Sequence, residues 1–424
     1  MSDSIFAVSS GAPPAAIAII RLSGPATFAC VRAISGALPK ARHAALRAIR
    51  DPASGELLDR GLVLLFPGPD SATGEDLAEL HLHGGRAVVR AVEDMLARQP
   101  GLRTAEAGEF TRRALIAGRI DLAQAEGLGD LLSAETESQR RAAIGAAEGL
   151  VSRRILGWSD RVLALAAEVE AALDFSDEDD FGEPDIGLRL AALAAEIERV
   201  AGGPTTERVR DGVRVVLAGP PNSGKSTLFN ALVEREAAIV SPIAGTTRDR
   251  IEAPVSRGGV AYVLTDTAGM TEVTADPIEA IGVTRAKEAM AQGDIILWLG
   301  EDAPPQGALW VHARADAAGR QTLPAGRDVA VSAHSGEGVA DVWAAVGERA
   351  VRLLPRLDDI AMNARQTALS LDCAAELRVA QEVANMLLIA EHLRRARLAL
   401  DKITGVTDVE AMLAGLFARF CIGK

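Results

Sequence analysis

Residues Gly219-Pro-Pro-Asn-Ser-Gly224-Lys225-Ser226 have the types and spacing of a phosphate cradle, G-x-x-x-x-G-K-[ST]. Its glycines let backbone N–H groups converge on phosphate oxygens, and a helix starting near Ser226 would add the positive end of its dipole. Lys225 supplies a point charge for the outer phosphates, and the Ser226 hydroxyl suits Mg²⁺. Asn222, Ser223, Gly224 and Thr227 complete the loop and the first helical turn. Only five of the 45 basic residues are lysine, so a lysine kept at 225 marks a place where a compact charge is wanted.

Two further segments fall where a nucleotide switch needs them. Gly245-Thr246-Thr247-Arg248-Asp249 lies in a loop about twenty residues on, and Thr247 there would ligate Mg²⁺ when a γ-phosphate is present. Asp266-Thr267-Ala268-Gly269 closes the apolar run Val260 to Thr265. Asp266 would hold the metal indirectly, and Gly269 would offer its N–H to the γ-phosphate. Together the three segments predict GTP hydrolysis, with Lys225 and Thr247 in the catalytic set. Met270 follows, where many GTPases carry a glutamine that orients water. Methionine cannot do this, so the task passes to Glu279, in Pro277-Ile-Glu-Ala-Ile-Gly282, through a hydrogen-bonded bridge. The alternative for Glu279 is a solvated helix carboxylate. Asn222 stands where a side-chain oxygen reaches a monovalent cation beside the phosphates, a cation able to replace an arginine finger.

Base selection is read from Leu309-Trp-Val-His-Ala313-Arg314-Ala315-Asp316. The Asp316 oxygens accept from the N1 and N2 donors of guanine, a pair that adenine lacks. The usual motif is Asn-Lys-x-Asp, so Ala313 removes a bracing side chain, while Arg314 keeps a cation that stacks on the base. Ser332-Ala333-His334 stands where Ser-Ala-Lys or Ser-Ala-Arg is common. The connection Gly300 to Ala308, nine residues long, is short for a parallel crossover and predicts a missing helix. These losses all lie on the base side, so the expectation is weak but GTP-preferring binding with hydrolysis retained.

The elements that hold these residues follow from periodicity. Apolar runs at Val213 to Ala218, Val260 to Thr265, Ile295 to Leu299, Leu309 to Val311 and Val329 to Ser332 alternate with helical segments. That predicts a Ras-like module with a mostly parallel sheet over 212–352. Ala-rich helical patterns at 119–211 and 353–424 predict an all-α domain that this module interrupts. Strand-like runs at 4–22, 62–66 and 77–82, with a helical stretch at 86–98, predict a small α+β domain over 1–118. The fold class is therefore α/β multi-domain. A net charge of −13 argues against a surface built to grip duplex phosphates, although residues 1–120 carry +2. Aromatics at 3% exclude an extended base-stacking platform. Three scattered cysteines (Cys30, Cys373, Cys421) fit a reducing cytosol, and no apolar run is long enough to span a membrane. The start Met1-Ser-Asp-Ser lacks the basic region of a signal peptide, so a cytoplasmic protein without a membrane partner is expected.

Beyond the nucleotide motifs the chain resembles the MnmE (TrmE) family of tRNA-modification GTPases over essentially its whole length. The resemblance is carried by Ile20-Arg21-Leu22-Ser23-Gly24, Phe66-Pro-Gly-Pro-Asp-Ser-Ala-Thr-Gly-Glu-Asp76 and Glu79 to His83-Gly84-Gly85. Gly108-Glu-Phe-Thr-Arg-Arg113, Asp121-Leu-Ala-Gln-Ala-Glu126 and the terminal Cys421-Ile-Gly-Lys424 continue it. It implies work with an MnmG (GidA)-type flavoprotein, which carries FAD, in a heterotetramer. Together they would build a 5-carboxymethylaminomethyl-type group on the wobble uridine (U34) of tRNA. It also implies a reduced folate, 5-formyl- or methylene-tetrahydrofolate, as one-carbon donor, a homodimer formed through the N-terminal domain, and K⁺ beside Mg²⁺. Carried over residue by residue, the folate contacts are Arg21, Glu79, Arg119 and Lys424, and the K⁺ contacts are Asn222, Ser241, Ile243 and Thr246. Cys421 becomes a possible thiol delivered by a mobile tail. The chemistry agrees, because arginine pairs bidentately with a glutamate tail and a carboxylate such as Glu79 accepts from pterin N–H donors.

Plainer readings stand beside these. His81 and His83 share a strand face, but no third ligand follows at metal spacing. Glu109, Arg112 and Arg113 read as structural salt-bridge formers. Two other functions compete: a ribosome-assembly GTPase, which needs a basic RNA-binding extension, and a folate-binding scaffold whose G domain has weakened.

Overall fold

The computed structural model describes residues 3–174, 186–234, 251–267, 287–356, 359–406 and 423. They form two compact units, Met1–Gly129 with Asp401–Lys424, and Asp130–Leu400.

The first unit is built on a six-stranded sheet in the order β3-β4-β5-β2-β1-β6. Its strands are β1 Ser4–Val8, β2 Ile17–Ser23, β3 Ala45–Arg50, β4 Leu57–Phe66, β5 Leu77–His83 and β6 Leu102–Thr104. Neighbours run antiparallel except β1 and β6. The period-two alternation of strands decides what each face carries. Phe6, Ile20, Leu22, Val63, Leu65, Leu80 and Leu82 are buried with Val31 and Ile34 of α1 (Thr27–Ser35) and Val92, Met95 and Leu96 of α2 (Arg86–Ala97). The intervening residues, Arg21, Glu79 and His81 among them, therefore turn to the opposite face. There Ile5 and Ala7 pack with Phe110 of α3 (Glu109–Ile116).

Sequence periodicity does not reveal β3. As an edge strand it has one fully buried residue, Ile49, and carries Arg47 and Arg50, charges that blunt an open edge. Glu109 and Arg113 are structural, as expected, and both side chains are fully buried. Arg113 Nη2 and Arg103 Nη2 lie 3.0 and 2.6 Å from Glu109 Oε1, and Arg113 Nη1 lies 3.0 Å from Glu75 Oε2. Burial raises the Glu109 carboxyl pKa, but the hydrogen bonds from Arg103 and Arg113 outweigh it and hold the group below its ordinary value. Arg112 is half-buried and lies 3.9 Å from Glu106.

The second unit carries a sheet in the order β12-β11-β10-β7-β9-β8. The strands are β7 Val213–Ala218, β8 Ile251–Arg257, β9 Val260–Asp266, β10 Ile295–Trp298, β11 Leu309–Ala313 and β12 Val329–Val331. All pairs are parallel except β8 with β9. Strand β8 departs from the βα pattern read from the sequence. It sits on the edge and contains Pro254, a residue that edge strands tolerate. Val215, Leu217, Leu264, Leu297 and Val311 form the core with Leu228 of α9 (Lys225–Glu234) and Trp343 of the helix Val339–Leu353. Between β10 and β11 no helix intervenes, as the nine-residue connection predicted. Trp298 Nε1 donates to Asp302 O (3.1 Å) and Trp310 Nε1 to Gly300 O (2.9 Å), which fixes the short crossover.

The helical part of the same unit includes α5 Glu137–Ala147, α6 Leu150–Asp174, α7 Gly187–Ala201 and the helix Ala364–Glu382. Trp158, Val162, Leu193, Ile197 and Leu377 are buried there. A capping box formed by Thr136 and Gln139 starts α5. Among the described residues, no helix is long and apolar enough to cross a membrane.

Candidate functional site

Strand order places the nucleotide motifs. Starting from β7, the chain adds β8 and β9 on one side and β10 to β12 on the other. The strand order thus reverses between β7 and β10, and the crevice at the C-terminal strand ends there is where open α/β sheets bind ligands. The loop after β7 is the phosphate cradle, β9 ends on Asp266, β11 leads to Asp316, and β12 leads to Ser332. A cavity of about 290 Å³ elsewhere in this unit, lined by Ala142, Ala146, Leu150, Val209 and Val351, includes none of these residues.

Within the cradle, Gly219 has φ 147° and Gly224 φ 98°. A Cβ on Gly219 would come within 3.2 Å of Gly300 N and of Ser223 Oγ, so only glycine keeps the loop this close to the neighbouring strand end. Ser223 Oγ is buried with no hydrogen-bond partner among the described residues. Lys225 is buried at the start of α9 and donates to the carbonyls of Gly219 (3.0 Å) and Pro220 (2.9 Å). Burial lowers its pKa, opposed by the charge of Asp266, itself buried. Ser226 and Thr227 are exposed in the first helical turn. Thr267 Oγ1 donates to Leu217 O (2.7 Å) and ties the end of β9 to β7. An unpaired buried hydroxyl and an ammonium resting on two loop carbonyls fit a site that receives phosphate oxygens.

On the base side, the Ser332 hydroxyl, fully buried, hydrogen-bonds the exposed Asp316 carboxylate and lowers its pKa, with His334 adding a smaller charge effect. Arg314, at φ 59°, donates from Nη2 to the carbonyl of Asn222, so the base loop touches the phosphate loop. Ala313 is buried in the sheet core, and Ala333 is half-buried. Sequence motifs did not mark Arg320, which donates to the Ala313 carbonyl at 3.1 Å. Ser241, Ile243, Thr246, Thr247, Ala268, Gly269, Met270, Glu279, Cys421 and Lys424 lie outside the described residues.

In the first unit, sheet register pairs Arg21 directly with Glu79. Arg21 Nη2 lies 2.8 Å from Glu79 Oε1, and His81 Nε2 lies 3.2 Å from Oε2. Burial raises the Glu79 carboxyl, but hydrogen bonds from Arg21 and His81 carry it below its ordinary value. The Arg21 guanidinium lies over the Phe110 ring, 5.9 Å from its centroid. Strand β2 is an inner strand of this sheet. His83 bonds Asp59 instead (2.7 Å). Arg119 sits against the turn at Gly74, 3.9 Å from Asp70. Gly423 docks on the end of β1, where Ser9 Oγ donates to its carbonyl (2.7 Å). Gly423 thereby sits against β1, the strand that pairs with β2 and sets Ala7 opposite Arg21.

A glycine cradle at the strand-order reversal of a mostly parallel sheet, with a base-side carboxylate two strands away, defines a P-loop GTPase module set among helices. A family model described as the MnmE helical domain matches residues 122–421, and one described as the GTP-binding protein TrmE N-terminus matches residues 4–119. The tRNA modification GTPase MnmE of Rhizorhabdus wittichii is 56% identical, the alignment covering 100% of this chain and 97% of that protein. The protein of the same name from Erythrobacter litoralis is 54% identical, with 100% of each chain covered. Among solved structures, the G domain of the T. maritima FeoB iron transporter aligns at 22% identity over 32% of this chain and 98% of its own, with a TM-score of 0.24. The chain belongs to the MnmE family of tRNA modification GTPases.

Proposed function

We propose that this chain hydrolyses GTP in a K⁺-stimulated cycle serving modification of the wobble uridine (U34) of tRNA, in the cytoplasm. In this reading an MnmG (GidA)-type flavoprotein is the partner, a reduced folate the one-carbon donor, and the chain works as a homodimer joined through residues 1–118. The helical domain would comprise 119–211 and 353–424, with the G domain over 212–352. The observation that carries the reading is buried Lys225, poised at the cradle mouth within the field of buried Asp266.

In the proposed cycle Lys225 exchanges two loop carbonyls for phosphate oxygens, and the Asn222–Thr227 backbone closes around them. Mg²⁺ supplies charge neutralisation when bound, and Ser226 and Thr247 would hold it. Asn222, Ser241, Ile243 and Thr246 would hold K⁺. Glu279 would position water, Gly269 would approach the γ-phosphate, and Asp316, with Ser332 behind it, would read guanine. Arg21, Glu79, Arg119 and Lys424 would take the folate.

Two measurements test this. Hydrolysis should be faster in K⁺ than in Na⁺ at matched ionic strength, and equal rates count against the cation site. Mass spectrometry of tRNA from cells lacking the protein should show loss of the U34 modification, and an unchanged nucleoside profile would overturn the reading.

A further inference from the structure

Arg320 lies four residues past Asp316, at the end of two successive turns closed by Ala317 N to Arg314 O (3.0 Å) and Arg320 N to Ala317 O (3.0 Å). Its side chain folds back on β11. Nε donates to the Ala313 carbonyl (3.1 Å), and Nη2 reaches Nδ1 of buried His312 (3.3 Å) and Oε1 of Glu301 (2.8 Å). His312 Nε2 faces the Arg320 carbonyl (2.8 Å), so these partners assign its proton to Nε2 and leave Nδ1 as acceptor. Residues 312–320, which carry Arg314 and Asp316, are thus closed into a ring by one guanidinium.

Glu301 comes from the short β10–β11 connection. It also pairs with Arg327, which lies over Trp310 (5.0 Å) and donates to the Val311 carbonyl (3.4 Å). The short connection therefore supplies the anion that anchors the base loop. Position 313, where an asparagine usually braces this loop, is here an alanine with no polar side chain. Arg320 grips the same residue through its carbonyl.

We propose that Arg320, anchored by Glu301 and His312, is the positioning residue that holds Asp316 for guanine in this chain, in place of the asparagine brace. This rests on the reading of Asp316 as the guanine contact. The test titrates GDP and ADP onto the full-length chain by calorimetry and measures GTP hydrolysis at saturation. Arg320→Met should weaken GDP binding about tenfold, as loss of a charged hydrogen bond would, leave ADP unchanged and move kcat less than about twofold. Adding Ala313→Asn should restore most of the loss. Glu301→Gln, at a side chain 63% exposed, should give a smaller loss in the same direction.

Unchanged GDP preference in Arg320→Met overturns the proposal. So does equal weakening of GDP and ADP with a parallel fall in kcat, or a failure of Ala313→Asn to rescue. If Arg320→Met does not fold, Glu301→Gln decides, and an unchanged preference there overturns the proposal too. Absence of any GDP preference in the unmutated chain would instead sink the reading of Asp316. Loss of preference in Asp316→Ala alone, with Arg320→Met unaffected, would sink only the brace.

Discussion

Gly423→Ala should unseat residue 423 from the end of β1. Gly423 adopts φ 98°, and a Cβ there would lie 2.0 Å from Val8 O and 2.8 Å from Val8 C. That backbone cannot yield easily, because Val8 is paired with Ile20 inside the sheet. Holding alanine in a left-handed conformation costs about 1–2 kcal/mol before any collision. Losing the Ser9 hydroxyl bond to Gly423 O removes about 1 kcal/mol more. At about 1.4 kcal/mol per factor of ten, a total of about 2–3 kcal/mol lowers the docked population roughly 30- to 140-fold. Since Lys424 is proposed to touch the folate, affinity for 5-formyltetrahydrofolate should fall to that of a chain lacking Lys424, and no further. Calorimetry on the two single variants and their combination reads this directly, because changes acting through one event do not add. Wild-type affinity in Gly423→Ala, or additive losses in the combined variant, would refute the reasoning.

Lys225→Ala should abolish GTP binding while leaving the fold intact, since among the described residues its side chain hydrogen-bonds two loop carbonyls, and binding within threefold of wild type in equilibrium dialysis counts against the cradle. Arg113→Met leaves Glu109 buried beside fewer cations and should cost the first unit about 3–5 kcal/mol in urea unfolding; a loss under about 1 kcal/mol would mean the network is dispensable. The pKa of Glu79 in the folded chain lies below its ordinary value, so its pairing stabilises the fold above that ordinary value and the gain disappears as pH falls through the folded value. Thermal melts across the acid range should therefore show a limb that Glu79→Gln flattens, and identical acid limbs in the two proteins would contradict the pairing.

The nucleotide cradle is readable in the sequence because its chemistry is local. Gly219 and Gly224 act through their own backbone, and β7 before them is a run of buried residues with little ambiguity. Strands β3 and β8 are harder, because an edge strand buries few residues and tolerates charges and proline, as Arg47 and Pro254 show. Arg320 leaves no sequence signal at all. It bonds a backbone carbonyl seven residues away, and any arginine in a polar loop looks the same until the loop is folded.

The Arg21–Glu79 pair lies between these extremes. The residues are 58 apart, and only the resemblance to a family joined them in the sequence. What brings them together is the antiparallel register of β2 on β5, which also sets Ile19 opposite His81. That register is set by the buried alternation of Ile20 and Leu22 against Leu80 and Ala78. A slip of one residue would carry Arg21 into the apolar face and Leu22 out of it, a change the core forbids. The packing on the α1–α2 side of the sheet thus decides which charges meet on the other side. Substitutions in that core should therefore disturb the Arg21–Glu79–His81 row without touching it.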